Sequence, residues 1–385
     1  MAGDGDLDAL LQERSSDLAA LKVLVADVLG PEHDDVWLLR YLLSNSTPAA
    51  SEAPIRFTIQ WRRERSATIL ALRAGAKPTT HVEMEKFLVS GEHKQTTAGE
   101  PVIVVRIGLC NSKALMDKFS HTDVVEYMLL ARETTMASLD AATRATRRLV
   151  KAITILDFAG FSLLRGHDAR FTKVQAACSK LSEQMYPQLL GRTIFMHTPP
   201  IIPYLFRLLK PLLSQRTVQK VAMCPGGRTV RDCPYVAQCF PAASLPTFLG
   251  GTCTCDGGGC VGGIPNAQTT PVVATDDAGF TSTTIAPRSQ QTMVVDVLQG
   301  NAIAYTVLAP GKRVEVAINF AGANGTTTPI VSNRFLQRED GPLDGSWLAP
   351  ADGVVTLTLD GSDAVFRSRP VKYKVAILAD ITLPP

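Results

Sequence analysis

The sequence is short of several things, and each shortage excludes a class. Charge of either sign is one: 39 Lys and Arg against 36 Asp and Glu leave +3 on 385 residues. That is too little for a polyanion binder held by bulk electrostatics, so nucleic acid is not an expected partner. Long apolar runs are also missing. A membrane span needs ~18 to 20 apolar residues, and the most apolar stretch, IIPYLFRLLKPLL, is broken by Arg207, Lys210 and two prolines. Asp4, Asp6 and Asp8 stand where a secretory signal would be basic and then apolar. Cysteine is sparse, 8 in the chain, which excludes a disulfide-dense scaffold and leads us to expect reduced thiols and a cytoplasmic address.

Catalytic signatures are missing as well. There is no phosphate-cradling GxxxxGK[ST] loop, and Gly160-Phe-Ser162 lacks the second glycine of a nucleophile elbow. Gly257 to Gly262 matches GxGxxG, but no strand precedes it and Pro265 follows where a helix should start. The histidines, His33, His81, His93, His121, His167 and His197, are scattered and never pair at metal-ligand spacing. The chain is therefore expected not to be an enzyme. Cys253, Cys255 and Cys260 share a Gly-rich loop that could wrap a metal. The usual CxxC pairs are absent, so Cys233, Cys239, Cys253, Cys255 and Cys260 are expected reduced and unliganded, without zinc or another cofactor.

What is present is organised along the chain. Residues 1–35 hold nine acids against Arg14 and Lys22, a charge of −7, so the remainder carries +10. From Arg192 to Arg231 there are seven Lys or Arg and no acid. Apolar residues recur every three or four positions over 7–75, which predicts helices. From about Gly99 short β-rich runs (PVIVVRIG, ITILDFAG, TIFMHTPP) alternate with helical patterns, one opening at Asp123-x-x-Glu126, and this predicts a mainly parallel sheet covered by helices. Residues from about 252 to 288 read as a linker rich in Gly, Thr and Pro. Beyond it the period is two: Val314, Val316, Ile318 and Phe320 share a face, Val355, Leu357 and Leu359 alternate with threonines, and Val371, Tyr373, Val375 and Ile377 form a further set. These runs predict an antiparallel β-sandwich.

The region 186–253 carries the most information. A strand leads into an apolar helix of Ile201, Ile202, Leu205, Phe206, Leu209, Leu212 and Leu213, followed by a basic tail. By composition this is either a core helix with a solvated positive edge or a mobile helix whose basic flank (Arg207, Lys210, Arg216) meets anionic lipid.

At this point the residues are recognisable. DDVWLLRYLL with WRRER, GEPVIVVRIG, ITILDFAGFSL with Asp157, YPQLLGRTIFMHTPPIIPYLFRLLKPLLSQRTVQKV and LPTFLGGTC resemble the CRAL-TRIO family. The form they resemble is the one with a C-terminal GOLD domain, as in patellins and supernatant protein factor. The resemblance implies an acidic helical N-terminus (1–30), a helical domain (31–80), an α/β lipid pocket (81–254), a linker (255–287) and a GOLD-like sandwich (288–382). It implies an apolar pocket floored by the sheet and closed by a gate helix over about 201–214, with lipid extraction driven by burial worth ~0.8 kcal/mol per CH₂. In phosphatidylinositol-binding members a basic pair, an acid and a lysine hold the headgroup. Here Lys220 matches the lysine, Gln188 replaces the acid, and Ser44-Asn45 begin a TPAASEAP insertion where the basic pair would be. Thr154 matches a phosphatidylcholine contact, with Ala152 in place of its Ser partner.

The implied function is non-enzymatic binding, transfer or sensing of a phospholipid or other lipophile by a cytoplasmic protein that associates peripherally with anionic membranes. GOLD domains in this architecture imply protein or membrane contact, with trafficking proteins as partners. Lys312, Arg313, Arg367, Arg369, Lys372 and Lys374 fit that role or a solvated sheet face. The competing class is a trafficking adaptor whose pocket only senses lipid.

Overall fold

The computed structural model describes residues 6–166, 168–199, 201–210, 215–224, 233–237, 239–268, 279–323 and 325–378. The chain divides into two compact units, Met1–Ala159 with Asp168–His197 and Leu213–Val273, and Gly160–His167 with Thr198–Leu212 and Ala274–Pro385.

In the first unit, α1 (Leu7–Glu13), α2 (Ser15–Val25), α3 (Asp35–Asn45) and α4 (Pro48–Glu64) form the helical layer that the three-to-four spacing predicts. Its core is Leu7, Leu21, Leu38, Leu39, Tyr41, Leu42 and Ile55, all fully buried. The TPAASEAP stretch forms the N-cap and first turns of α4. Thr47 caps α4 by accepting from the Ala50 amide (3.2 Å), and Pro48 occupies the first turn, where its missing N–H costs nothing. α5 (Ser66–Arg73) and α6 (Thr79–Glu85) lead to the sheet.

That sheet has the order β1-β2-β3-β4-β5. The strands are β1 (Ser90–Gln95), β2 (Pro101–Arg106), β3 (Ala152–Asp157), β4 (Leu190–Met196) and β5 (Val221–Met223). β1 is antiparallel to β2, and β2 through β5 are parallel. The crossovers run through α7 (Ser112–Lys118) and the 26-residue α8 (His121–Thr146), then α9 (Ala169–Met185). The capping box of α8 lies three residues earlier than the sequence pattern suggests. Ser120 is the N-cap and Asp123 its reciprocal partner, because Asp123 reaches back to the Ser120 amide (3.3 Å) while Ser120 accepts from the Asp123 amide (3.2 Å).

Two features depart from the expectation of free thiols and a loose linker. Cys224 and Cys233 form a disulfide on either side of residues 225–232. Cys253, Cys260 and Val261 are buried in the core of this unit, so the first part of the segment read as linker is packed.

The second unit is a sandwich of two four-stranded antiparallel sheets, ordered β10-β9-β12-β7 and β11-β8-β13-β6. They comprise β6 (Thr281–Ile285), β7 (Gln290–Val297), β8 (Ala302–Leu308), β9 (Val314–Gly322), β10 (Thr327–Leu336), β11 (Leu343–Leu348), β12 (Gly353–Asp360) and β13 (Arg369–Leu378). The period-two sets point inward: Val314, Val316 and Phe320 are fully buried, with Ile318, Val355, Leu357 and Leu359 nearly so. Helix α10 (Ile201–Leu209) packs on β11, and Asp344 of β11 holds Arg165 in an ion pair.

Candidate functional site

The two faces of the five-stranded sheet are not equivalent. Register puts Val102, Val104, Ile153, Ile155, Ile194 and Met196 on one face. All are buried, beneath Val236, Phe240, Leu245, Leu249 and Cys253 from the chain after β5. The opposite face carries Ile103, Val105, Thr154, Leu156, Phe195, Val221 and Met223, each only half-buried. Continuous apolar strands are normal where both faces are covered. A floor of large apolar side chains left partly accessible, with the Thr154 hydroxyl among them and buried Thr193 beside it, is what an apolar ligand with a polar end would lie on.

Of the residues singled out for a headgroup, Thr154 stands on the floor in the central strand, while Gln188 and Lys220 lie at one end of it. Thr154 is level with Ile103 and Thr193, and Thr193 is level with Val221, the residue after Lys220. Gln188 lies two residues before Leu190, which pairs with Ala152 at the entry of β3. The Gln188 amide donates to Ser44 Oγ (2.9 Å), and Lys220 Nζ donates to the Leu190 carbonyl (2.7 Å). Thus Ser44, Gln188 and Lys220, brought from α3, the α9–β4 loop and the start of β5, gather at the N-terminal ends of β4 and β5.

Gln188 holds φ at +59°, a left-handed conformation that a non-glycine residue adopts only when its surroundings fix it. The fixing group is one that sequence reasoning passed over. Arg40, fully buried on α3, donates to the Gln188 carbonyl (3.2 Å), Asp140 Oδ1 (2.7 Å), Thr143 Oγ1 (3.0 Å) and the Val150 carbonyl (3.2 Å). Burial pushes the Arg40 guanidinium down and the Asp140 carboxyl up from their ordinary pKa values, each partly offset by the other's charge. The available signal was one arginine inside an otherwise apolar helix face.

A second polar group sits at the C-terminal ends of the strands. Arg106 and Asp157 are neighbours across β2 and β3, and Asp157 Oδ1 meets His197 Nδ1 at 2.7 Å just beyond β4. Asp157 is buried and also accepts from the Ala159 amide (3.0 Å). In the sequence His197 stands among scattered histidines; parallel strands place it beside Asp157.

In α10, Ile201 and Ile202 are buried, Phe206 is half-buried and Arg207 is exposed, as is Lys210 just after it. The side chains of Leu205, Leu209 and Arg216, and all of Leu212 and Leu213, lie outside the described residues. Among the described residues no helix is long and apolar enough to cross a membrane.

Residues 88–251 match the family model of the CRAL/TRIO domain. The chain carries a CRAL/TRIO domain. Its match begins just before β1 and ends within the LPTFLGGTC motif. Relatives of this domain include the phosphatidylinositol/phosphatidylcholine transfer protein SFH12 of Arabidopsis thaliana, 27% identical over 247 residues, covering 62% of this chain and 44% of that protein. SFH11 of the same plant is 28% identical over 209 residues, 53% of each chain. The CRAL-TRIO domain-containing protein T23G5.2 of Caenorhabditis elegans is 24% identical over 245 residues, 62% of this chain and 33% of that protein. The chain thus spans about a third to a half of these relatives' length. A crystal structure of Sfh5 is similar over 60% of this chain and 84% of that one, at 15% identity and a TM-score of 0.45.

Proposed function

We propose that this protein binds a phospholipid or similar lipophile and transfers or presents it between membranes, without catalysing a reaction on it. The observation that carries the reading is the half-buried apolar sheet face with Thr154 on it and Ser44, Gln188 and Lys220 gathered at one end of it. Acyl chains would lie on that face, with ~0.8 kcal/mol gained per buried CH₂. Lys220 would turn from the Leu190 carbonyl to the headgroup phosphate. Gln188 can donate to inositol hydroxyls where the family's acid would accept from them. The names of the SFH relatives support phosphatidylinositol and phosphatidylcholine as first candidates.

In this reading α10, with Arg207 and Lys210 exposed on or beside it, is the element that moves at an anionic, peripherally bound membrane surface. The C-terminal sandwich would act as a GOLD-type contact module, and the segment boundaries drawn from the sequence belong to the same proposal. An adaptor that only senses lipid is favoured by one observation, the packing of α10 on β11, which gives the sandwich a hold on the gate.

The test is native mass spectrometry of the intact protein followed by transfer between labelled and unlabelled vesicles. A co-purified phospholipid and measurable transfer are expected. Thr154→Trp, which fills the floor, should abolish both; an adaptor would keep its membrane and partner localisation in that variant. Lys220→Ala removes a charged hydrogen bond worth ~1.5 to 3 kcal/mol, so phosphatidylinositol transfer should fall about tenfold to a hundredfold. A protein that holds no lipid and moves none would overturn the proposal.

A further inference from the structure

We propose that His93, Cys253, Cys255 and Cys260 form a tetrahedral zinc site that ties the edge strand of the sheet to the end of the CRAL/TRIO domain. Spacing in the sequence spoke against zinc because no CxxC pair is present. The fold supplies what spacing could not, a fourth ligand from 160 residues upstream of Cys253. The ligand atoms of these four side chains all lie within 4.8 Å of one another. Cys253 Sγ is 3.6 Å from Cys255 Sγ, and Cys255 Sγ is 3.9 Å from His93 Nδ1. With Zn–S at ~2.3 Å and Zn–N at ~2.0 Å, a tetrahedral centre places its ligand atoms about 3.5 to 3.8 Å apart. Three cysteines and a histidine are a common structural donor set for this metal.

Local structure on both sides is shaped for the site. In β1, Glu92 pairs with Ile103 and Gln95 with Pro101, so His93 and Lys94 together oppose Val102. This two-against-one bulge, with Lys94 at φ +52°, buries His93 and leaves Lys94 exposed. From the other side the chain winds through Cys255 at φ +50° and Gly257, Gly258, Gly262 and Gly263, all left-handed.

Buried Asn266 fixes this loop. It accepts from the Cys260 amide (3.0 Å) and donates to the Cys253 carbonyl (3.0 Å) and Cys260 Sγ (3.3 Å). Such donors to a metal thiolate are the usual outer support of a site. Arg106 of β2 clamps the loop further on, at the Pro265 and Asn266 carbonyls (3.1 and 3.3 Å). Zinc with three thiolates and a neutral imidazole carries a net single negative charge. The Lys94 ammonium, which bonds the Ala243 carbonyl (2.9 Å) and the Cys253 thiol, would offset it. The role is structural: all four protein ligands are present, so no position is left for a substrate.

The full-length protein, purified under reducing conditions and equilibrated with Zn(II), should hold one zinc per chain by elemental analysis. Zinc should protect Cys253, Cys255 and Cys260 from alkylation while leaving Cys239 reactive, and Co(II) should give the visible absorption of a tetrahedral thiolate centre. Cys260→Ser and His93→Ala should lose the metal, Cys239→Ser should keep it, and a chelator should lower the thermal midpoint of the wild type. The alkylation and Co(II) readings use the wild type, so they stand even where a variant fails to fold. Absence of bound metal with all three thiols reduced, or a disulfide among them that reductant and zinc do not convert to a metal centre, would overturn the proposal. Either result leaves the lipid reading untouched.

Discussion

At Arg40 a full positive charge sits where water does not reach, answered by Asp140 at 2.7 Å, by Thr143 and by two backbone carbonyls. Pairs of this kind add little net stability over an apolar replacement, but removing one partner leaves a buried charge uncompensated. Asp140→Ala should therefore destabilise the protein by about 3 to 5 kcal/mol, read as a lower urea midpoint. It should also loosen Gln188, whose left-handed backbone Arg40 holds through its carbonyl. Two of the histidines contribute a pH dependence. His33 accepts the Gly30 amide on Nδ1 (2.8 Å) and packs on Trp37, and His81 meets Tyr127 edge-on. Burial holds both imidazoles below their ordinary pKa; around His33, Glu32 and Asp34 oppose that shift while Arg62 and Arg63 add to it. Both are thus neutral in the fold at a pH where the unfolded chain protonates, below about 6.5. The unfolded state then binds more protons, so stability is present above that pH and is lost as the pH falls below it. Urea midpoints should drop between about pH 7 and pH 5, and the double variant His33→Gln with His81→Gln should show a shallower drop.

At the scale of elements, the strands were legible and their faces were not. PVIVVR and AITILD declare themselves by β-branched runs, and both became parallel strands, β2 and β3. Because both faces of such strands are apolar, nothing in the runs says that Val104 and Ile155 are buried while Val105 and Leu156 stay half-open. That distinction, on which the candidate floor rests, comes from what covers each face, namely the chain around Phe240 to Cys253 on one of them. Helix positions were legible from periodicity, and the α8 cap was misplaced because Asp123 can start a box as well as close one. Of the site, Lys220 and Gln188 could be found as motif positions. Arg40, His197 and His93 could not, since each acts through a partner 40 to 160 residues away. The packed stretch from Cys253 to Gln268 looked like linker for a physical reason: glycine and proline punctuate loops whether or not a buried Asn and a cysteine cluster anchor them.

At the scale of the whole molecule, the acidic N-terminal segment is matched by cations of its own unit. Asp8 pairs with Arg147, Asp27 with Arg56 and Asp34 with Arg144, so one of these cations comes from α4 and two come from the last turn and C-cap of α8. The second unit gathers two segments from the middle of the chain, Gly160–His167 and Thr198–Leu212, onto a sandwich built from its end. One polar fastening is Arg165 on Asp344, with the arginine 9% and the carboxylate 13% exposed, and Thr306 Oγ1 donates to the same carboxylate (2.5 Å). At this burial the pair is screened far less than a surface bridge, and a charged hydrogen bond contributes ~1.5 to 3 kcal/mol. Asp344→Asn keeps the shape and the Thr306 contact while removing the charge. It should raise the opening of the 160–167 segment about tenfold or more, seen as faster tryptic cleavage after Arg165 with the sandwich's own melting midpoint little changed. If the sandwich steadies the gate through β11, the same variant should also speed spontaneous lipid exchange between vesicles severalfold. Faster cleavage with unchanged exchange would confine the fastening to local order, and unchanged cleavage would mean that Arg165 is held by something other than Asp344.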